Sequence, residues 1–150
     1  MRSSAASDVY KRQDQEIRKA GITVLRDETL TLNNELVLIG RNDNLAHDRP
    51  TTETLLKQVN TDLPIILLDH RPTDIEKHAS LPLDIQVSGH AHKGQVFPAS
   101  LITKMMYRLD YGHEKIGNPH VFVTSGYGFW GIPMRLGSQS EVIIIDVKGK

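Results

Sequence analysis

Residues Pro64–Asp69 read PIILLD, and this run limits the fold more than any other stretch of the chain. It is apolar at consecutive positions rather than alternate ones, and it is bounded by a proline and an aspartate. That pattern is too short for a buried helix and fits a strand covered on both faces, as parallel strands of α/β proteins are. Ile85–Ser88 reads as a second buried strand. Between the two, Pro72–Ala79 is predicted as a short helix. Upstream, Thr51–Val59 sets Leu55, Leu56 and Val59 at helical spacing behind a Thr51 or Thr52 N-cap. Interleaved strands and helices of this kind predict an α/β or α+β class with a mixed sheet.

The flanking segments fill in the rest. Gln15–Ala20 is short and helix-compatible and ends at Gly21, and Ile22–Arg26 reads as a strand. Thr29–Leu32 and Glu35–Gly40 surround Asn33-Asn34, a pair that tolerates positive φ and predicts a two-residue hairpin turn. Arg41–Pro50 is polar and turn-rich, hence a loop. Leu101–Leu109 places Leu101, Ile102, Met105, Met106 and Leu109 on one helical face. His120–Thr124 and Val142–Val147 are predicted as the last strands. No internal repeat or low-complexity tract is present.

Composition removes several function classes. The chain has 150 residues with 18 basic and 18 acidic side chains, so its zero net charge argues against a broad nucleic-acid face. It has no Cys, which excludes disulfides, thiolate metal sites and a Cys nucleophile. Any metal site must therefore draw on the seven His, carboxylates and amides. The apolar runs Leu63–Leu68 and Val142–Ile145 fall far short of the ~20 residues of a membrane span. Met1–Gln13 reads MRSSAASDVYKRQ, which lacks the apolar core of a secretion signal. Ser3–Gln13 reads as a translated sequencing-library adapter, the alternative being a short disordered arm. On the adapter reading the native segment begins near Asp14 and belongs to a longer protein.

The two buried strands end in the residues of greatest chemical interest. One runs into Asp69-His70-Arg71-Pro72, the other into Gly89-His90-Ala91-His92. Strand ends at a sheet rim are where open α/β sheets bind ligands. Neutral imidazole is a common ligand for divalent transition metals, and His90 and His92 point to one side if their backbone stays extended. On spacing alone, the pair reads rather as two surface or turn histidines. Adding His70 at a second strand end puts a metal cluster level with that reading.

Asp69-His70-Arg71-Pro72 followed by Gly89-His90-Ala91-His92-Lys93-Gly94-Gln95 resembles the last two metal motifs of calcineurin-like metallophosphoesterases. Ser125-Gly126-Tyr127-Gly128 and Pro133-Met134-Arg135-Leu136-Gly137 look like the bacterial branch of that family that often carries N-terminal membrane helices. The resemblance covers Asp14 to the C-terminus. It implies the C-terminal half of a four-layer αββα sandwich with mixed sheets. It also implies a metal-dependent phosphoesterase with a dinuclear centre of two divalent ions (Mn, Fe, Zn, Ni or Mg). His70 and His90 would bind one ion and His92 the other. Two cations about 3.5–4 Å apart activate a water and neutralise charge developing on phosphorus. The family's earlier motifs, Asp-x-His, Gly-Asp-x-x-Asp and Gly-Asn-His-Asp/Glu, are absent from this sequence. The expectation is therefore a chain inactive alone, with an exposed apolar sheet edge or face, from a full-length protein associated with a bacterial membrane. The alternative within the same fold is a non-catalytic scaffold.

Further residues carry two readings each. Arg71 reads as a substrate contact or a solvated loop charge, and Asp43 as support for the metal site or a turn residue. His47, His78, His113 and His120 lie outside any motif and read as surface or structural. Gly126–Gly131 matches Gly-x-Gly-x-x-Gly, but Pro133 and Gly137 prevent the helix that a dinucleotide site requires. Phe97, Leu101, Ile102, Met105, Met106, Phe129 and Trp130 read either as core or as an apolar rim for a lipid-derived phosphoester, with peripheral membrane contact. No nucleic-acid partner is expected.

Overall fold

The computed structural model describes residues 13–46 and 48–148. The reading of Met1–Gln13 therefore falls, apart from Gln13, outside the described residues, as does that of His47. The chain forms an α/β fold around one six-stranded mixed sheet. The strands are β1 (Glu28–Leu32), β2 (Leu36–Gly40), β3 (Ile65–Leu68), β4 (Ile85–Ser88), β5 (Gly112–Lys115) and β6 (His120–Val123). Their order across the sheet is β1-β2-β3-β4-β6-β5. β2, β3, β4 and β6 run parallel, and β1 and β5 close the two edges antiparallel.

The hairpin forms as its sequence dictates. Asn33 and Asn34 adopt φ of 50° and 58°, and the Glu35 N–H donates to the Leu32 carbonyl at 2.9 Å. Two positive-φ residues inside one such bond make a turn whose twist matches that of the strands it joins. The Thr52–Leu56 helix starts at Thr51, whose side chain accepts from the Thr54 N–H. A second short helix spans Ile75–His78.

Both helices cover the same face of the sheet. The register puts Val37, Ile39, Ile65, Leu67, Val121 and Val123 on that face, and each is fully buried. Leu55, Leu56 and Leu83 pack on the first four, and Ile75 packs on the last two. Each such side chain contributes about 1.5–3 kcal/mol of hydrophobic stabilisation at most. The opposite face carries Leu38, Ile66 and Val87, all half-buried, with Leu32 and Leu68 each 40% exposed. PIILLD is thus fully covered on one face only, which corrects the two-face expectation.

Two predicted strands do not form. Ile22–Arg26 joins no ladder; Leu25 instead lies against Gly40 on the less covered face. A side chain at Gly40 would collide with Leu25. Val142–Val147 is likewise unpaired, with Val142, Ile144 and Val147 exposed. The helix expected over Leu101–Leu109 runs Ala99–Met106 and buries none of its residues, so the core reading of its apolar face is overturned.

Candidate metal centre

β3 and β4 are adjacent and parallel, so their C-terminal ends abut. The ladder continues past them: the Asp69 N–H donates to the Val87 carbonyl at 3.1 Å and the Gly89 N–H to the His70 carbonyl at 2.9 Å. β6 ends beside β4, with the Thr124 N–H on the Ser88 carbonyl at 3.0 Å. Three parallel strand ends therefore open into one cleft, lined by Asp69, His70, Gly89, His90, His92 and Ser125. This is where parallel sheets place their ligand sites.

His70 and His90 meet there. Nε2 of His70 and Nδ1 of His90 are 3.3 Å apart, with the rings edge to face at 76°. Two nitrogens bound to one tetrahedral ion at about 2.0–2.1 Å lie roughly 3.3–3.4 Å apart, so the pair fits a shared cation. Burial, then the neighbouring charges of Arg71 and His70, hold His90 below the ordinary imidazole range. Those forces favour the neutral ring, the form that binds metal. Among the described residues, no group of three or more His, Asp or Glu side chains converges on one point.

His92 takes a different course. The extended backbone that would align it with His90 does not form: His90, His92 and Lys93 have φ of 65°, 50° and 52°. The segment turns tightly, with the Gly94 N–H on the Ala91 carbonyl at 2.8 Å. Positive φ costs a non-glycine residue about 1–2 kcal/mol, and such strain concentrates at functional sites. His92 Nδ1 lies 3.0 Å from the Ser125 carbonyl. A carbonyl only accepts, so Nδ1 carries the proton and Nε2 keeps its lone pair.

Arg135 fixes that carbonyl. Its Nη2 donates to the Ser125 and Gly126 carbonyls at 2.8 and 3.0 Å, and to the Gly128 carbonyl. Glu141 holds the other side, accepting from the Ser125 N–H at 2.9 Å, the Tyr111 hydroxyl at 2.9 Å and the Thr124 hydroxyl at 3.1 Å. Burial pushes the Glu141 carboxyl up, but these hydrogen bonds outweigh it and hold the carboxyl below its usual range. Neither residue had a role assigned from sequence. The only signal for Arg135 was its position as the sole charge in an acid-free glycine loop.

Arg71 is not a free loop charge. It donates through Nε to Asp43 at 2.8 Å and lies through Nη1 3.0 Å from His90 Nε2. Asp43 also accepts from the Leu45 N–H. Burial raises the Asp43 carboxyl, and the Arg71 and Leu45 bonds more than reverse this. The turn residue therefore anchors the arginine beside the histidines.

Beneath the rim lies a second network. Buried His78 bonds through Nε2 to Thr52 and through Nδ1 to Gln86, both at 2.9 Å. Arg41 donates to Thr52 and, at 3.1 Å, to Asp27. Arg49 pairs with Asp69, immediately before His70. His113 and His120 are exposed, 3.0 Å apart through Nε2 and Nδ1. The glycine loop is followed by no helix among the described residues, which removes the dinucleotide reading.

The chain is 37% identical over 141 residues to an uncharacterised metallophosphoesterase of Aquifex aeolicus, covering 89% of this chain and 54% of that protein. It is 35% identical over 135 residues to one from Helicobacter pylori, covering 86% and 36%. It is 37% identical over 99 residues to a Danio rerio transmembrane protein with metallophosphoesterase domain, covering 64% and 23%. The chain thus spans about half or less of the length of these relatives. No family model matches it, and no solved structure matches it significantly. Among the described residues, no helix is long and apolar enough to cross a membrane.

Proposed function

The chain belongs to the metallophosphoesterase family, and on that premise we propose that it supplies the histidine ligands of a dinuclear centre that hydrolyses phosphoesters. His70 and His90 hold one divalent ion and His92 contributes to the second. The remaining ligands lie in residues outside this sequence. The observation that carries the reading is the 3.3 Å approach of His70 and His90 at adjacent parallel strand ends.

When bound, the cations supply Lewis acidity toward the phosphoryl oxygens and lower the pKa of the attacking water. Their identity (Mn, Fe, Zn, Ni or Mg) is left open by an imidazole donor set. The chain's own residues do the rest. The Ser125 carbonyl keeps the His92 Nδ1 proton in place, so its Nε2 is available as a donor atom. Arg71, held by Asp43, stands beside His90 as a cation able to meet a phosphate in a forked contact. A phosphoester carried on a lipid fits the apolar residues flanking the cleft, and the name of the Danio rerio relative supports a membrane-associated setting.

With three histidines and no bridging carboxylate, the chain alone is inactive. The test is hydrolysis of p-nitrophenyl phosphate with added Mn²⁺, by this chain and by the full-length protein that carries it. The full-length protein should turn over, His90→Ala in it should lose at least about a hundredfold, and this chain should give no rate above background. Turnover by the isolated chain at intact-enzyme rates would falsify the division of ligands. Full activity in the His90→Ala protein would remove His90 from the centre.

A further inference from the structure

We propose that the Ala99–Met106 helix and the aromatic loop Tyr127–Leu136 together form a surface that seats on an anionic lipid bilayer. This rests on the surface itself and stands whether or not the chain hydrolyses phosphoesters.

The two segments are one surface because Gln95 joins them. Its side chain accepts from the Trp130 N–H at 2.6 Å and donates to the Trp130 and Ile132 carbonyls at 2.9 and 3.1 Å. Its backbone carbonyl accepts from the Leu136 N–H at 2.9 Å, and the Phe97 N–H donates to the Leu136 carbonyl at 2.8 Å. Gly94, just before it, lies so close to the start of the helix that any side chain there would collide with Ser100. Buried Gln95 thus pins the loop beside the segment that leads into the helix.

What this surface presents is apolar and aromatic. Met105 is 88% exposed, Tyr127 81% and Trp130 78%, and Ile102, Met106 and Phe129 are exposed with them. A soluble surface seldom keeps so many large apolar groups together without a partner. Its charge selects the partner. Residues 92–109 and 126–140 contain four Lys or Arg and not one Asp or Glu. Arg108 is paired with Glu114, Arg135 is spent on loop carbonyls and half-buried Lys93 lies over the Tyr111 ring at 4.1 Å, which leaves Lys104 as the outward charge. An acid-free apolar face carrying lysine, with tryptophan and tyrosine at its edge, matches the boundary of an anionic membrane. His92 and Lys93 directly precede this surface, so seating it on a bilayer brings the histidine cleft to the headgroups.

Trp130 is the only tryptophan of the chain, and it lies in this surface. Its emission therefore reports seating without a label. With vesicles of phosphatidylglycerol and phosphatidylcholine, the emission should move to the blue, bromine-substituted acyl chains should quench it, and the chain should co-sediment. With pure phosphatidylcholine, binding should be weaker. Lys104→Glu should lower partitioning about fivefold or more, and Met105→Asp by at least as much. Both side chains are exposed, so neither change asks the fold to readjust. No blue shift and no sedimentation with anionic vesicles would overturn the proposal. So would partitioning unchanged in Met105→Asp, which would place the lipid contact elsewhere. A blue shift that grows with protein concentration in the absence of lipid would assign the surface to a second copy of the chain instead.

Discussion

His78 and His90 lie on elements that neighbour each other in the fold, and they teach opposite lessons. Both nitrogens of His78 are taken by fixed partners, Thr52 and Gln86, inside a buried network. His90 faces another histidine at 3.3 Å and a half-exposed arginine, in a cleft open to solvent. An imidazole bonded on both sides inside a core holds that core together, whereas one whose partners are themselves half-exposed at a cleft can exchange them for a ligand. The same contrast separates the two arginines. Arg49 is buried against Asp69, and Arg71 is half-exposed against Asp43.

That contrast predicts where substitutions cost stability. Arg49→Ala has the largest effect, about 3–5 kcal/mol in chemical denaturation, because it strands the buried Asp69 carboxylate. His78→Ala follows at about 2–3 kcal/mol, from a cavity and two orphaned partners. A loss as small as that of a surface change would break the distinction between the two networks. Arg135→Ala acts locally: hydrogen exchange at residues 125–131 should quicken about tenfold while the midpoint of global unfolding moves little.

Glu141 gives the pH dependence. Its hydrogen bonds keep the folded carboxyl below the ordinary value of 4.5, so the unfolded chain takes up the proton first. The stabilisation is complete above 4.5 and is lost as pH falls through the lower folded value. Across that range the wild-type melting temperature should fall, and the Glu141→Gln variant should show a shallower fall with about 1 kcal/mol less stability at neutral pH. At the small end, His90→Ala should change stability by less than about 0.5 kcal/mol. A cost equal to that of His78→Ala would make His90 a structural residue.

The parts legible in the sequence were those that local chemistry decides. Asn33-Asn34 had its turn written in its tolerance of positive φ, and PIILLD and Ile85–Ser88 set the two strand ends that face each other. Thr51 was readable as a cap. Elements decided by distant partners were not. Ile22–Arg26 and Val142–Val147 have strand composition but find no ladder, while Gly112–Lys115, reading GHEK, pairs with β6 despite a composition poor in β-formers. Stacking of His113 on Phe122 helps that strand along, and such a contact has no local signature. The three candidate histidines were marked by motif, but the bend after Gly89 that breaks the extended backbone between His90 and His92 was not. It depends on positive φ at residues that are not glycine.

The metal assignment rests on which histidines respond to a cation, and the exposed His113–His120 pair, 3.0 Å apart, supplies an internal rival. The direct measurement is a Zn²⁺ titration of the ¹⁵N-labelled chain, read at the imidazole ring nitrogens. The expected result is that His70 and His90 shift together, with His92 following, while His78 keeps its resonances. Shifts confined to His113 and His120, or no shift at His70 and His90 under saturating zinc, would contradict a metal centre at the strand ends.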